Sequence, residues 1–65
     1  MIAHDEIREA VTRRAPVRIT FGHALGAVGI LKGYHAGVDT VRVDITEGKY
    51  AGESTLTART SVTLI

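Results

Sequence analysis

Ala27-Val28-Gly29-Ile30-Leu31-Lys32-Gly33-Tyr34 constrains the fold of this chain more than any other segment. It is apolar along most of its length, yet it carries glycines four residues apart, at Gly29 and Gly33. That composition suits a strand bent so sharply that side chains at the bend would collide. On either side the pattern is plainer. Val17-Arg18-Ile19-Thr20-Phe21 and Val41-Arg42-Val43-Asp44-Ile45 alternate apolar and polar residues, the mark of half-buried strands. Ser54 to Ala58 and Val62 to Ile65 supply two further strands, joined by Arg59-Thr60-Ser61, which leaves room only for an abrupt corner. Turn residues separate the other strands at His23-Ala24-Leu25-Gly26, at Ala36-Gly37, and at Glu47-Gly48-Lys49 with Gly52-Glu53.

Upstream of the strands the period is helical. Asp5, Glu6 and Glu9 fall in the early turns, Arg13 and Arg14 in the last, and Pro16 forbids continuation, which predicts one helix over about 4–15. Its apolar stripe, Ala3, Ile7, Ala10 and Val11, is too narrow to form a core alone and needs a sheet to lie on. The expected architecture is therefore mostly β. It is an N-terminal α-helix followed by a five-stranded bent antiparallel SH3-like barrel over about 17–65, all in a single domain spanning 1–65. Val17, Ile19, Phe21, Val28, Ile30, Val41, Val43, Ile45, Leu56, Val62 and Leu64 are the candidates for its interior.

Most of these are small aliphatics, and the chain has only 65 residues, so its core is marginal. No cysteine is present, which excludes a disulfide framework or a thiolate zinc site as the missing staple. Pairing of open strand edges between copies would supply stability and protect those edges together, so a homo-oligomer is expected. Apolar residues make up 45% and charged residues 23%, values of a folded chain rather than a disordered tail. Met1-Ile2-Ala3 is followed at once by His4-Asp5-Glu6, so neither a signal-peptide apolar stretch nor a membrane span is expected, and the reading is cytoplasmic, with no membrane partner. The formal net charge of +1 means that attraction to nucleic acid must be local rather than a bulk property.

Catalytic patterns are absent. His4, His23 and His35 lack metal-ligand spacing and are expected to be solvated or locally hydrogen-bonded, so no metal or cofactor is expected. Ser54 and Ser61 lie outside any nucleophile turn. Gly22, Gly26, Gly29 and Gly33 fit neither phosphate-loop pattern and serve as bend and turn residues. A non-enzymatic protein is expected.

The arrangement resembles the Sm-like family, its bacterial Hfq branch included, over nearly the whole chain. The family's first motif, Gly-x-Leu-x-Gly-aromatic-Asp-x-x-apolar-Asn before an apolar strand, is similar to Gly29-Ile30-Leu31-Lys32-Gly33-Tyr34-His35-Ala36-Gly37-Val38-Asp39 with Val41-Arg42-Val43 behind it. The short second motif is similar to Ala58-Arg59-Thr60-Ser61-Val62 with Leu64 and Ile65 following. This chain has His35 where the family usually has Asp, Asp39 where it has Asn, and Thr60 where it has Gly or His. Gly37 stands where its base-stacking residue usually sits.

The resemblance implies a ring of about six or seven subunits, closed by strand four of one copy pairing with strand five of the next, with single-stranded RNA held near the pore. It implies that Asp39, Arg59, His35 and Thr60 lie on the pore loops that contact RNA. It likens Arg13, Arg14 and Arg18 to the basic rim cluster of Hfq, suited to phosphate oxygens. Two simpler roles stand beside these: Asp39 and Arg59 pairing with each other, and the rim arginines acting as cations at a helix end and on a solvated strand face. The leading expectation is a ring-forming protein that binds RNA weakly or with altered base preference; two other functions are also open, a ring scaffold or protein-interaction module without base recognition, and the SH3-like barrel of a DNA-associated regulator.

Overall fold

The helix forms where the acidic first turn predicts it but ends earlier than expected. In the computed structural model, which describes residues 1–65, α1 spans His4–Thr12, with Asp5 and Glu6 in its first turn. Arg13 and Arg14 therefore lie just past the helix rather than in its last turn. Arg14 adopts a left-handed conformation at φ 53°, and the Arg14 N–H donates to Val11 O at 3.1 Å while the Ala15 N–H donates to Ala10 O at 2.9 Å. This is a Schellman closure, in which the apolar residue after the cap packs near the last helical turn, here Ala15 and Ala10, both buried. Pro16 then starts the first strand.

Five strands follow: β1 (Pro16–Ile19), β2 (Val28–His35), β3 (Thr40–Glu47), β4 (Ser54–Ala58) and β5 (Val62–Leu64). All pair antiparallel in one sheet of order β4-β3-β2-β1-β5, so β4 and β5 are its two edges. The mostly-β class, the N-terminal helix and the five antiparallel strands all agree with the sequence reading. The corner between β4 and β5 is a single 3-10 turn, Arg59–Ser61. No helix is long and apolar enough to cross a membrane.

The long strand β2 is irregular, as its glycines suggest. Its register to β3 slips between Val28 and Gly29, and again between Leu31 and Gly33, which leaves Lys32 as a bulged residue. At the first slip the Thr46 hydroxyl donates to Val28 O at 3.3 Å. Only one of the two glycines is demanded by crowding. A Cβ at Gly29 would lie 2.5 Å from Asp44 O and 2.7 Å from Val43 Cγ1, whereas one at Gly33 would meet nothing within 4 Å.

One face of the sheet carries the core, and the phase of two strands is opposite to the expected one. Val41, Val43 and Ile45 of β3 point inward and are buried, and the register sets Leu31 opposite Val43 and Gly29 opposite Ile45. Leu31 is thus fully buried, while Val28 and Ile30 are half-buried on the other face. Leu56 pairs with the outward Arg42 and is 62% exposed, with Thr55 and Thr57 taking the inward positions of β4. Phe21 is also outside the core, at 73% exposure, because β1 ends at Ile19 and the chain enters a loop with Gly22 at φ 83°. The vacated volume is filled from the helical side, where Ile2, Ile7, Ala10 and Ala15 join the buried cluster and the Leu31 N–H donates to Ala15 O at 3.1 Å. Each large aliphatic buried there contributes roughly 1.5–3 kcal/mol. Only 16 of 65 residues are buried, so the core remains as small as the length implied.

Candidate nucleic-acid interface

At the end of the molecule nearest the N-terminus, three separate segments converge. The first is the turn between β2 and β3, a 3-10 turn over Ala36–Val38 that closes with Asp39 in the left-handed region at φ 50°, ψ 44°. Asp and Asn tolerate that conformation because their short polar side chains bond locally. The second is the corner between β4 and β5, which begins with Arg59, and the third is the N-terminal segment around Ile2.

Arg59 joins all three. Its Nε donates to Asp39 Oδ1 at 2.8 Å and its Nη2 to Asp39 Oδ2 at 3.1 Å, a bidentate fork on the carboxylate. Its Nη1 donates to the carbonyl of Ile2 at 2.6 Å. The residue is only 7% exposed. The Tyr34 hydroxyl donates to the same Asp39 Oδ1 at 2.8 Å, and His4 Nε2 stands 3.6 Å from that oxygen. Hydrogen bonds from Arg59, then from Tyr34, hold the Asp39 carboxyl below its ordinary pKa. The hydrogen bond to Asp39 raises both the Arg59 guanidinium and the Tyr34 phenol above theirs.

The mutual pairing weighed from sequence is thus what the chain forms in isolation. Both carboxylate oxygens of Asp39 carry donors from within the chain, which leaves little acceptor capacity for the amine edge of a base. The other two residues assigned to the pore loops are open: His35 is exposed at the end of β2 and Thr60 is exposed on the corner turn. His35 and Arg42 line one groove on the outer face, a groove that includes neither Asp39 nor Arg59. Arg13 lies 4.0 Å from Glu9, Arg14 occupies the helix cap, and Arg18 is exposed on β1, with Val28 on one side and Thr63 on the other.

Two cations escape the sequence reading. Arg8 borders a cleft of about 260 Å³ between α1 and the end of β2, with Val11, Thr12, Tyr34 and Ala36. Helical spacing already sets residues 8, 11 and 12 on one face, and that signal was available. Arg42 projects from the outer face of β3, and recognising its groove requires the register between β3 and β4. The imidazole ring of His23 packs on Tyr50, with ring centroids 4.6 Å apart. No group of three or more His, Cys, Asp or Glu residues is placed to hold a metal ion.

Compared with protein-family models, curated proteins and solved structures, the chain finds no match.

Proposed function

We propose that this chain is a non-enzymatic, cytoplasmic Sm-like barrel that assembles into a closed ring of its own copies and binds single-stranded RNA with little base selection. The observation that carries this reading is the strand order, which leaves β4 and β5 as the two free edges of one sheet. Glu53 O and the Arg59 N–H are bonded toward β3, so by the alternation of an antiparallel ladder the backbone groups of Ser54, Leu56 and Ala58 face away from the sheet. The Thr20 N–H donates to Ser61 O and the Ile65 N–H to Pro16 O, so those of Val62 and Leu64 face away at the other edge. Two unsatisfied edges on one small core are a template for edge-to-edge pairing, and a head-to-tail pairing of unlike edges closes into a ring.

Support for RNA comes from Arg8, Arg14, Arg18 and Arg42, which make no ion pair or side-chain hydrogen bond within the chain. Guanidinium groups repeated around a ring bind phosphates multivalently and without reading sequence. The second reading, a ring scaffold without base recognition, is favoured by the Asp39–Arg59 fork itself and by Gly37, which offers no side chain to stack. Fluorescence anisotropy with short uridine-rich and adenosine-rich RNAs, at low and moderate salt, separates the two. Comparable binding of both RNAs that weakens with salt supports the first reading, and absence of binding at low salt supports the scaffold.

A further inference from the structure

On the face of the sheet turned away from the core, a groove of about 310 Å³ lies over β3 and the edge strand β4, with the outward residues His35, Arg42, Ser54 and Leu56 in its lining. Its shape follows from the register. Arg42 lies between the buried Val41 and Val43 in sequence and so projects outward, with Leu56 opposite it on β4 and Gly33 opposite it on β2. Gly33 has open space where a side chain would stand, which keeps the groove accessible beside the guanidinium. The bulge at Lys32 reverses the phase set by Leu31, so that Gly33 and His35 both lie on the outward face with Arg42.

The charge of the groove is unspent. Arg42 and His35 form no ion pair and no side-chain hydrogen bond. The carboxylate two residues along β3 on this face, Asp44, accepts from the Ser54 hydroxyl at 2.6 Å and faces Lys32 Nζ at 3.9 Å. Its charge is thereby offset by a neighbour, and the local balance remains positive. Leu56, exposed beside the guanidinium, adds an apolar ledge.

We propose that this groove is a phosphate-ester site: Arg42 grips the phosphate oxygens with its planar fork, His35 donates a second hydrogen bond, and Leu56 supports the attached sugar or base. The proposal deepens the RNA-binding reading and rests on it for the source of the phosphate, the phosphodiester of a single strand; a free mononucleotide shares the same chemistry. A bare inorganic anion would leave the Leu56 ledge uncovered, whereas a nucleoside phosphate uses both halves of the groove.

The test is an NMR titration of the whole isotope-labelled chain with inorganic phosphate, uridine 5′-monophosphate and a short uridine-rich RNA, repeated on Arg42→Gln and Arg42→Lys. The expected result is movement of the His35, Arg42 and Leu56 amide signals by both the nucleotide and the RNA. Arg42→Gln should weaken RNA binding roughly tenfold at low salt, and Arg42→Lys, which keeps the charge without the fork, should fall between. Exposed Arg42 tolerates both changes in the fold, so unchanged signals for the Asp39 and Arg59 region are expected. If the nucleotide moves these signals and the RNA does not, the assignment of the groove to the phosphodiester of a single strand is overturned, whether or not RNA binds elsewhere. If RNA binds Arg42→Gln as tightly as the parent chain, the RNA reading survives and the groove assignment is overturned. Silence of the groove toward both ligands also overturns it.

Discussion

Arg59 and Asp39 hold each other through both side chain and backbone: the guanidinium forks the carboxylate, and the Arg59 N–H donates to the Asp39 carbonyl at 3.1 Å. The two residues are 20 positions apart and begin and end the β3–β4 hairpin, so their pairing closes it. The third nitrogen of Arg59, bonded to Ile2 O, extends the closure to the N-terminal segment. A residue pair that the sequence offers either as a base reader or as a mutual ion pair forms, in the folded chain, a buckle between three segments.

A buckle makes a definite prediction for a double-mutant cycle. Arg59→Ala and Asp39→Ala should each lower the thermal midpoint, and the double variant should lose clearly less than the sum of the two. Arg59→Lys should recover little, because an ammonium cannot reproduce the fork. Strict additivity in thermal unfolding followed by circular dichroism would show that the two side chains act independently.

The same pair sets the response to acid. The folded Asp39 carboxyl titrates below its ordinary value of 3.8, so the unfolded chain binds the proton more readily. The stability it contributes is complete above that value and is lost as pH falls toward the folded pKa. Tyr34 works at the other end: its folded pKa is raised above 10.0, so its contribution is present below that value and is lost as pH rises through the folded pKa. The expected profile has a plateau between these limits and an acid limb, and Asp39→Asn should remove part of that limb. Urea midpoints measured across the acid range decide it, and an unchanged slope in Asp39→Asn would contradict the assignment.

Much of this was legible in the residues themselves. Period-two alternation placed β1 and β3, acidic and proline punctuation placed α1, and the single corner at Arg59-Thr60-Ser61 survived unchanged. The phase of β2 was not legible, because Val28-Gly29-Ile30-Leu31 offers apolar residues to both faces and only the inward triad of β3 chooses between them. Leu56 misled for a related reason: an edge strand with threonines inward reverses the usual apolar signal. The Asp39–Arg59 pair was visible as one of two possibilities, while the contact to Ile2 joins residues 57 positions apart and leaves no local pattern. The Arg42 groove depends on strand register in the same way.

The two glycines of β2 should differ sharply when replaced. Gly29→Ala forces a methyl against the β3 backbone and the Val43 side chain and should cost about 1–3 kcal/mol. Gly33→Ala enters open space and should change stability by less than about 0.5 kcal/mol. Urea unfolding of both variants checks the close approach of β2 to β3, and equal losses would contradict it.

Arg14 occupies a helix-cap position that glycine fills with less strain. Arg14→Gly should stabilise the fold by about 0.5–1 kcal/mol, because relief of the left-handed strain outweighs the added freedom of the unfolded chain. The same variant removes one rim cation and should weaken RNA binding. Stability and affinity thus move in opposite directions, which separates the cap role from the phosphate role. A loss of stability in urea unfolding would refute the cap assignment.

Assembly through the free edges of β4 and β5 is decided by the solution mass of the chain, measured by light scattering. The expected species has about six or seven times the mass of the 7.0 kDa chain. A shift toward lower mass is expected for Leu56→Pro, which removes an outward donor from the β4 edge. A stable folded monomer of the parent chain would contradict assembly through these edges.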